Sequence, residues 1–213
     1  MMHAYDKLYL EKARAALARM LDFAVYDLHQ DLTSFFDLFI SSGVAQLFEQ
    51  GDIHILVGKS GVELAYEVLE RSGLAYKRVT PQYSMDRSEE YWTGWALAYY
   101  QWETAQPFAE IVQYIPIQDI LAMYDPYHEM DIRQFCDAMN ERLRKAKPET
   151  NLKLLRQQNG LSQKQLAEIS SVPLRTLQQY EQRQKNINKA QAEYLVSLST
   201  ALNCSVEQLI ERI

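Results

Sequence analysis

Leu161-Ser162-Gln163-Lys164-Gln165-Leu166-Ala167-Glu168, followed by Val172-Pro173-Leu174-Arg175-Thr176-Leu177-Gln178-Gln179-Tyr180-Glu181, is the stretch whose reading decides the fold. Ser162 and Gln165 stand at capping-box spacing, so a short helix opens there. A tight connection follows, then a second short helix whose polar residues share one face. Ala167 is small where two such helices cross closely, and Leu166, Val172 and Leu177 suit the buried positions between them. The pattern is a helix-turn-helix.

Working outward, the caps extend the unit to five helices. Thr150 precedes a helix with Leu152 and Leu155 on its apolar face, and Asn159-Gly160 stops it in a left-handed cap. The third helix begins at Pro173, tolerated in a first turn because the missing N–H has no partner there anyway. Asn188 is placed to cap a fourth helix carrying Leu195, Leu198 and Leu202. Ser205 with Gln208 opens a fifth, with Val206, Leu209 and Ile210.

Leu152-x-x-Leu155-Arg156-x-x-x-Gly160-Leu161-Ser162-Gln163-x-x-Leu166-Ala167 resembles the opening of the phage repressor/Cro-type (Xre-type) DNA-binding domains. The later Val172, Leu177, Tyr180-Glu181 and Leu198-x-x-Ala201-Leu202-Asn203-x-Ser205-x-x-x-Leu209 follow the same pattern. The resemblance implies a bacterial or phage transcriptional regulator, a repressor, that sets the helix Pro173–Glu181 in the major groove as a homodimer on a two-fold operator. Leu174, Arg175, Gln178 and Gln179 lie on the outer side of that helix as base contacts. Arg175 offers a fork to guanine, Gln179 pairs with adenine, and Leu174 suits a thymine methyl. The resemblance gives Gln163 a phosphate contact, with Lys164, Arg183, Lys185 and Lys189 as further contacts to the DNA backbone. Two departures stand out. The family often has Gly in the turn, where this chain has Ser170-Ser171, and again after the Tyr-Glu pair, where it has Gln182-Arg183.

A chain of 213 residues suits two domains. The charged run Glu141 to Thr150, with Pro148 near its end, reads as a helix tail and linker. It divides an acidic, aromatic-rich, mostly helical region (1–147) from the helix-turn-helix region (148–213). Within that run Arg142, Arg144, Lys145 and Lys147 read as a solvated helix end. Residues 1–148 carry 14 Lys+Arg against 22 Asp+Glu, whereas 149–213 carry 8 against 6, so a basic module follows an acidic one. The low content of Gly (7) and Pro (6) predicts a mainly α protein. Two distant cysteines, Cys136 and Cys204, argue against a disulfide framework or Cys-rich zinc site. With no membrane-length apolar run and no signal-peptide pattern at Met1–Asp6, a cytoplasmic protein is expected.

Residues 1–147 hold no motif of known chemistry. A first helix is predicted from about Ala4 to His29 on Leu8, Ala15, Leu17, Leu21, Val25 and Leu28, and a second from Leu32 to Phe48 with a break at Ser41-Ser42-Gly43. Gly51 to Ser60 is the one place for a short β element. Gly58-Lys59-Ser60 is not a phosphate loop, because the required earlier glycine falls at Ile53; Ser60 with Glu63 is a capping box opening a helix Val62–Ser72. Tyr91 to Trp102 holds all three tryptophans and reads as an aromatic core helix, with a partner or ligand surface as the alternative. The four histidines lack metal-ligand spacing, and His128-Glu129-x-Asp131 reads as a solvated loop. No nucleophile–base arrangement is visible, so neither an enzyme nor a cofactor or metal site is expected. A second reading makes the chain antitoxin-like, with residues 1–147 binding a toxin while the helix-turn-helix regulates its own operon. A third gives that region a small effector.

Overall fold

The computed structural model describes residues 3–82 and 86–211. It is 67% helical, with no strand among the described residues. The chain forms two compact units, Met1–Ala146 and Lys147–Ile213.

In the first unit a 3-10 turn (Lys7–Tyr9) leads into α1 (Leu10–Tyr26), followed by α2 (Leu32–Ser41), α3 (Val44–Glu49), α4 (Ile53–Leu56) and α5 (Gly61–Arg71). Then come α6 (Glu89–Thr104), α7 (Phe108–Tyr114), α8 (Ile117–Leu121), α9 (Tyr124–Tyr127) and α10 (Ile132–Ala146). α1 is the central helix, packed between α5 and α6. It is apolar on nearly every side, which is the pattern of a helix surrounded by others. Its contact residues are small: Ala13, Ala16, Ala18 and Ala24 are all buried. That lets its neighbours approach backbone to backbone. A Cβ on Gly94 of α6 would stand 2.7 Å from the Leu17 carbonyl oxygen and 2.8 Å from Ala18 Cα. On the other side, a Cβ on Gly61 of α5 would stand 2.6 Å from the Ala16 carbonyl oxygen. Beside this sandwich Phe36, Phe39, Phe48 and Phe108 pack as a cluster, with ring centroids 5.5–6.2 Å apart.

Two expectations for this unit need correction. The β element within Gly51–Ser60 is instead the single turn α4. Asp52 accepts from the N–H groups of His54 (2.9 Å) and Ile55 (3.2 Å), which closes a helical turn. The buried pair is adjacent, Ile55 and Leu56, while Ile53 and Val57 are exposed, so the apolar alternation serves no sheet face. The first helix does not run unbroken from Ala4 to His29. Asp6 caps the 3-10 turn through the Leu8 N–H (2.8 Å), and Leu8, counted on the apolar face, is 83% exposed. Ala15 also faces solvent. The capping box of Ser60 and Glu63 is present, and Lys59 pairs with Glu67 (3.0 Å).

On α6 the aromatics divide between two faces. Trp92, Tyr100 and Trp102 are buried in the core, whereas Tyr91, Trp95 and Tyr99, at spacing i, i+4, i+8, are only half-buried.

The second unit comprises α11 (Asn151–Gln158), α12 (Gln163–Ser170), α13 (Leu174–Glu181), a 3-10 turn (Ile187–Lys189), α14 (Ala192–Ala201) and α15 (Val206–Leu209). Leu152, Leu166, Val172, Leu177, Tyr180, Ile187, Leu198, Leu202 and Leu209 form its core. Thr150 caps α11 through the Lys153 N–H (3.2 Å), and Gly160 adopts φ +67 beyond its end. Asn188 is not the cap of the fourth helix. That helix starts at Ala192, and Asn188 instead exchanges two hydrogen bonds with the Glu211 backbone (2.6 and 2.9 Å). No helix among the described residues is long and apolar enough to cross a membrane.

Candidate nucleic-acid interface

α12 opens with the capping box: Gln165 Oε1 accepts from the Ser162 N–H (2.9 Å), and Ser162 Oγ accepts from the Gln165 N–H (3.2 Å). Ser170 ends it, its hydroxyl donating to the Leu166 carbonyl (2.6 Å). Ser171, Val172 and Pro173 then turn the chain into α13, with Val172 buried as the wedge between the two helices. Ser171 adopts φ +56 and Arg183, just past α13, φ +54. These are the two regions where the resembled family often has glycine, so the backbone keeps a left-handed turn there without it. Such a conformation costs a residue with a Cβ roughly 1–2 kcal/mol, against a gain of about 0.4–1 kcal/mol from a stiffer unfolded chain. Ser171→Gly is therefore expected to stabilise the second unit by about 0.5–1 kcal/mol, read as slower amide exchange in peptides from α12 and α13. Slower exchange in Ser171→Ala than in Ser171→Gly would contradict this.

Four side chains from three helices form one polar chain. Arg156 of α11 donates through Nε to Glu181 Oε1 (2.6 Å) and through Nη2 to Glu181 Oε2 (3.0 Å). Its Nη1 donates to the Leu161 carbonyl (2.7 Å). Gln163, first residue of α12, donates to Glu181 Oε2 (2.7 Å), and its own Oε1 accepts from Gln178 Nε2 (3.4 Å). The ion pair is buried, and the hydrogen bonds to Glu181 push the Arg156 pKa above its ordinary value, with burial opposing. This fork fixes the C-terminal end of α13 against α11. In the sequence Arg156 and Tyr180-Glu181 stand out only as motif positions, and Gln163 only as a phosphate contact. Their mutual pairing spans 25 residues from Arg156 to Glu181 and left no local signal.

The outward face of α13 carries Leu174 and Arg175, both exposed, and Gln178 and Gln179, both half-buried. Leu174 with Gln178 and Arg175 with Gln179 are i, i+4 pairs on that face. Among the described residues the side chains of Arg175 and Gln179 make no hydrogen bond, whereas the Gln178 amide is oriented by Gln163. Lys164, Lys185 and Lys189 are exposed and form no ion pair among the described residues. Arg183 is engaged: it pairs with Glu211 (3.0 Å) and donates to the Pro148 carbonyl (2.7 Å). No group of three or more His, Cys, Asp or Glu suited to a metal ion occurs among the described residues.

No curated protein and no solved structure matches the chain. A family model described as Helix-turn-helix matches residues 152–209, which run from the start of α11 to the end of α15. Residues 152–209 are a helix-turn-helix domain of the Xre/Cro type, the DNA-binding unit of transcription regulators.

Proposed function

We propose that the chain is a sequence-specific repressor, binding a two-fold operator as a homodimer with α13 in the major groove. The observation that carries this reading is the outward face of α13, where Arg175 and Gln179 stand uncommitted within the helix-turn-helix domain. Arg175 reads guanine and Gln179 adenine; Gln178 presents the carbonyl end of an amide whose nitrogen is held by Gln163; Leu174 meets a thymine methyl. Gln163, at the N-terminus of α12, contacts phosphate together with Lys164, Lys185 and Lys189. Arg183 contributes to the backbone contacts through its charge, while its hydrogen bonds hold Glu211.

The test is selection of preferred duplexes from a random pool, followed by anisotropy titrations. Arg175→Ala and Gln179→Ala should each lose about 1–3 kcal/mol of discrimination while a salt-dependent background remains. Lys185→Ala and Lys189→Ala should weaken all duplexes alike and flatten the salt slope by about one each. Discrimination unchanged in both α13 variants would remove them from the reader set.

The antitoxin-like arrangement is the second reading, favoured by the acidic charge of residues 1–147 beside a basic DNA-binding unit. It requires the product of an adjacent gene to co-purify with the full chain, and its failure to do so would exclude that arrangement.

A further inference from the structure

Within the first unit, six rings line a cavity of about 280 Å³: Tyr91, Trp92, Trp95, Tyr124, Tyr127 and His128. The volume suits one or two fused rings, just below the size range of drug-sized sites. The walls are held from behind. Arg14, buried, lays its guanidinium 3.3 Å from the Trp95 ring centroid and 5.0 Å from that of Tyr99. Trp92 packs edge-on against Phe135 (5.3 Å) and Tyr124 (5.7 Å), and Tyr124 carries the His128 ring stacked at 4.1 Å. Rings fixed in this way form a slot before any ligand arrives, so little ordering cost opposes binding.

A ring-walled cavity suits either a cation or a flat aromatic molecule. The charges and polar groups around it decide between them. Arg87 is the one Lys or Arg in the lining, no Asp or Glu lines it, and among the described residues Arg87 has no carboxylate partner. Its guanidinium lies 4.9 Å from the Tyr91 ring centroid. One face of Trp95 already carries Arg14 and Tyr91 carries Arg87, so an incoming cation meets occupied rings and a like charge. The nearby carboxylates Asp125 and Glu129 stand instead on His128, at 3.2 and 3.7 Å. The hydroxyls of Tyr91, Tyr124 and Tyr127 donate to nothing among the described residues. The wall therefore offers donors and one positive charge to a ligand that accepts.

We propose that this cavity binds a planar aromatic carboxylate, its ring against the aromatic walls and its carboxylate on Arg87. The site stands independently of the DNA reading. The test is calorimetric titration of the full chain with 2-naphthoate, the matching neutral naphthamide, and a naphthylmethyl trimethylammonium cation. Naphthoate should bind one to one and at least about tenfold more tightly than the amide, the scale of one charge-assisted fork. Arg87→Gln, at an exposed position, should erase that preference and leave the amide unchanged. Tyr127→Ala should weaken both, with circular dichroism unaltered in each variant. Absence of naphthoate binding, equal affinity for acid and amide, tighter binding of the cation, or an unaffected preference in Arg87→Gln would each overturn the proposal.

Discussion

Glu181→Ala is expected to lower the stability of the second unit by about 3–5 kcal/mol, because it strands the buried Arg156 charge. The unit is small, and at ordinary stabilities per residue it has only roughly 3–10 kcal/mol to lose. The variant should therefore be largely unfolded in residues 151–209 at 37 °C. Arg156→Ala should act similarly, leaving the Glu181 carboxylate with only the Gln163 amide as partner. The informative contrast is the double replacement Arg156→Met with Glu181→Leu. It removes both charges together and should be far milder than either single change, since the attraction between a buried pair roughly offsets its desolvation. Hydrogen exchange on the full chain separates the cases: peptides from α11 to α13 should lose protection in the single variants and keep most of it in the double, while α1 and α6 stay protected in all three. If the double variant were as damaged as Glu181→Ala, the fork itself, not the stranded charge, would be the source of stability.

Gly94→Val should destabilise the first unit by about 3 kcal/mol. Elsewhere on an exposed helix, replacing Gly by Ala gains about 1 kcal/mol from propensity. Here the sign reverses, because the new Cβ meets the backbone of α1 at Leu17 and Ala18, and backbone cannot rotate aside as a side chain can. α6 would have to lift off the central helix, shifting Trp92 and Tyr100 against Phe135 of α10. Gly94→Ala should already be destabilising, and the branched valine more so. Thermal melts followed by circular dichroism check the order wild type, Ala, Val. An Ala variant more stable than wild type would mean that the α1–α6 approach is not close.

What the sequence revealed was local. Ser162 with Gln165, Ser60 with Glu63, and Thr150 announce helix starts because a cap and its target lie three residues apart. Leu166, Val172 and Leu177 announce the wedge of the helix-turn-helix because a 3.6-residue period sorts them. Where local cues compete, packing decides the outcome. Ile53, Ile55 and Val57 alternate as a strand does, but Asp52 closes a turn over them and no strand occurs among the described residues to receive them. Asn188 has the chemistry of a cap and uses it on the Glu211 backbone, 23 residues away. The Arg156–Glu181–Gln163–Gln178 chain of the candidate interface was likewise unreadable, since its members meet only when three helices pack. Along α6, composition marked an aromatic helix, but only packing separated the core face, where Trp92 and Tyr100 meet Phe135 of α10, from the half-buried Tyr91, Trp95 and Tyr99.

That all three tryptophans lie on α6 gives the protein a natural separation of optical signals. Tryptophan emission reports one helix of the first unit, and the helix-turn-helix unit contains no tryptophan, absorbing in the near ultraviolet chiefly through Tyr180 and Tyr194. A duplex held by α13 is bound by a unit that carries none of the emitters. Any change in tryptophan emission on adding operator DNA would therefore be a label-free report that DNA binding is felt at α6 of the aromatic unit, and constant emission at saturating DNA would mean that the surroundings of these three rings are unaltered.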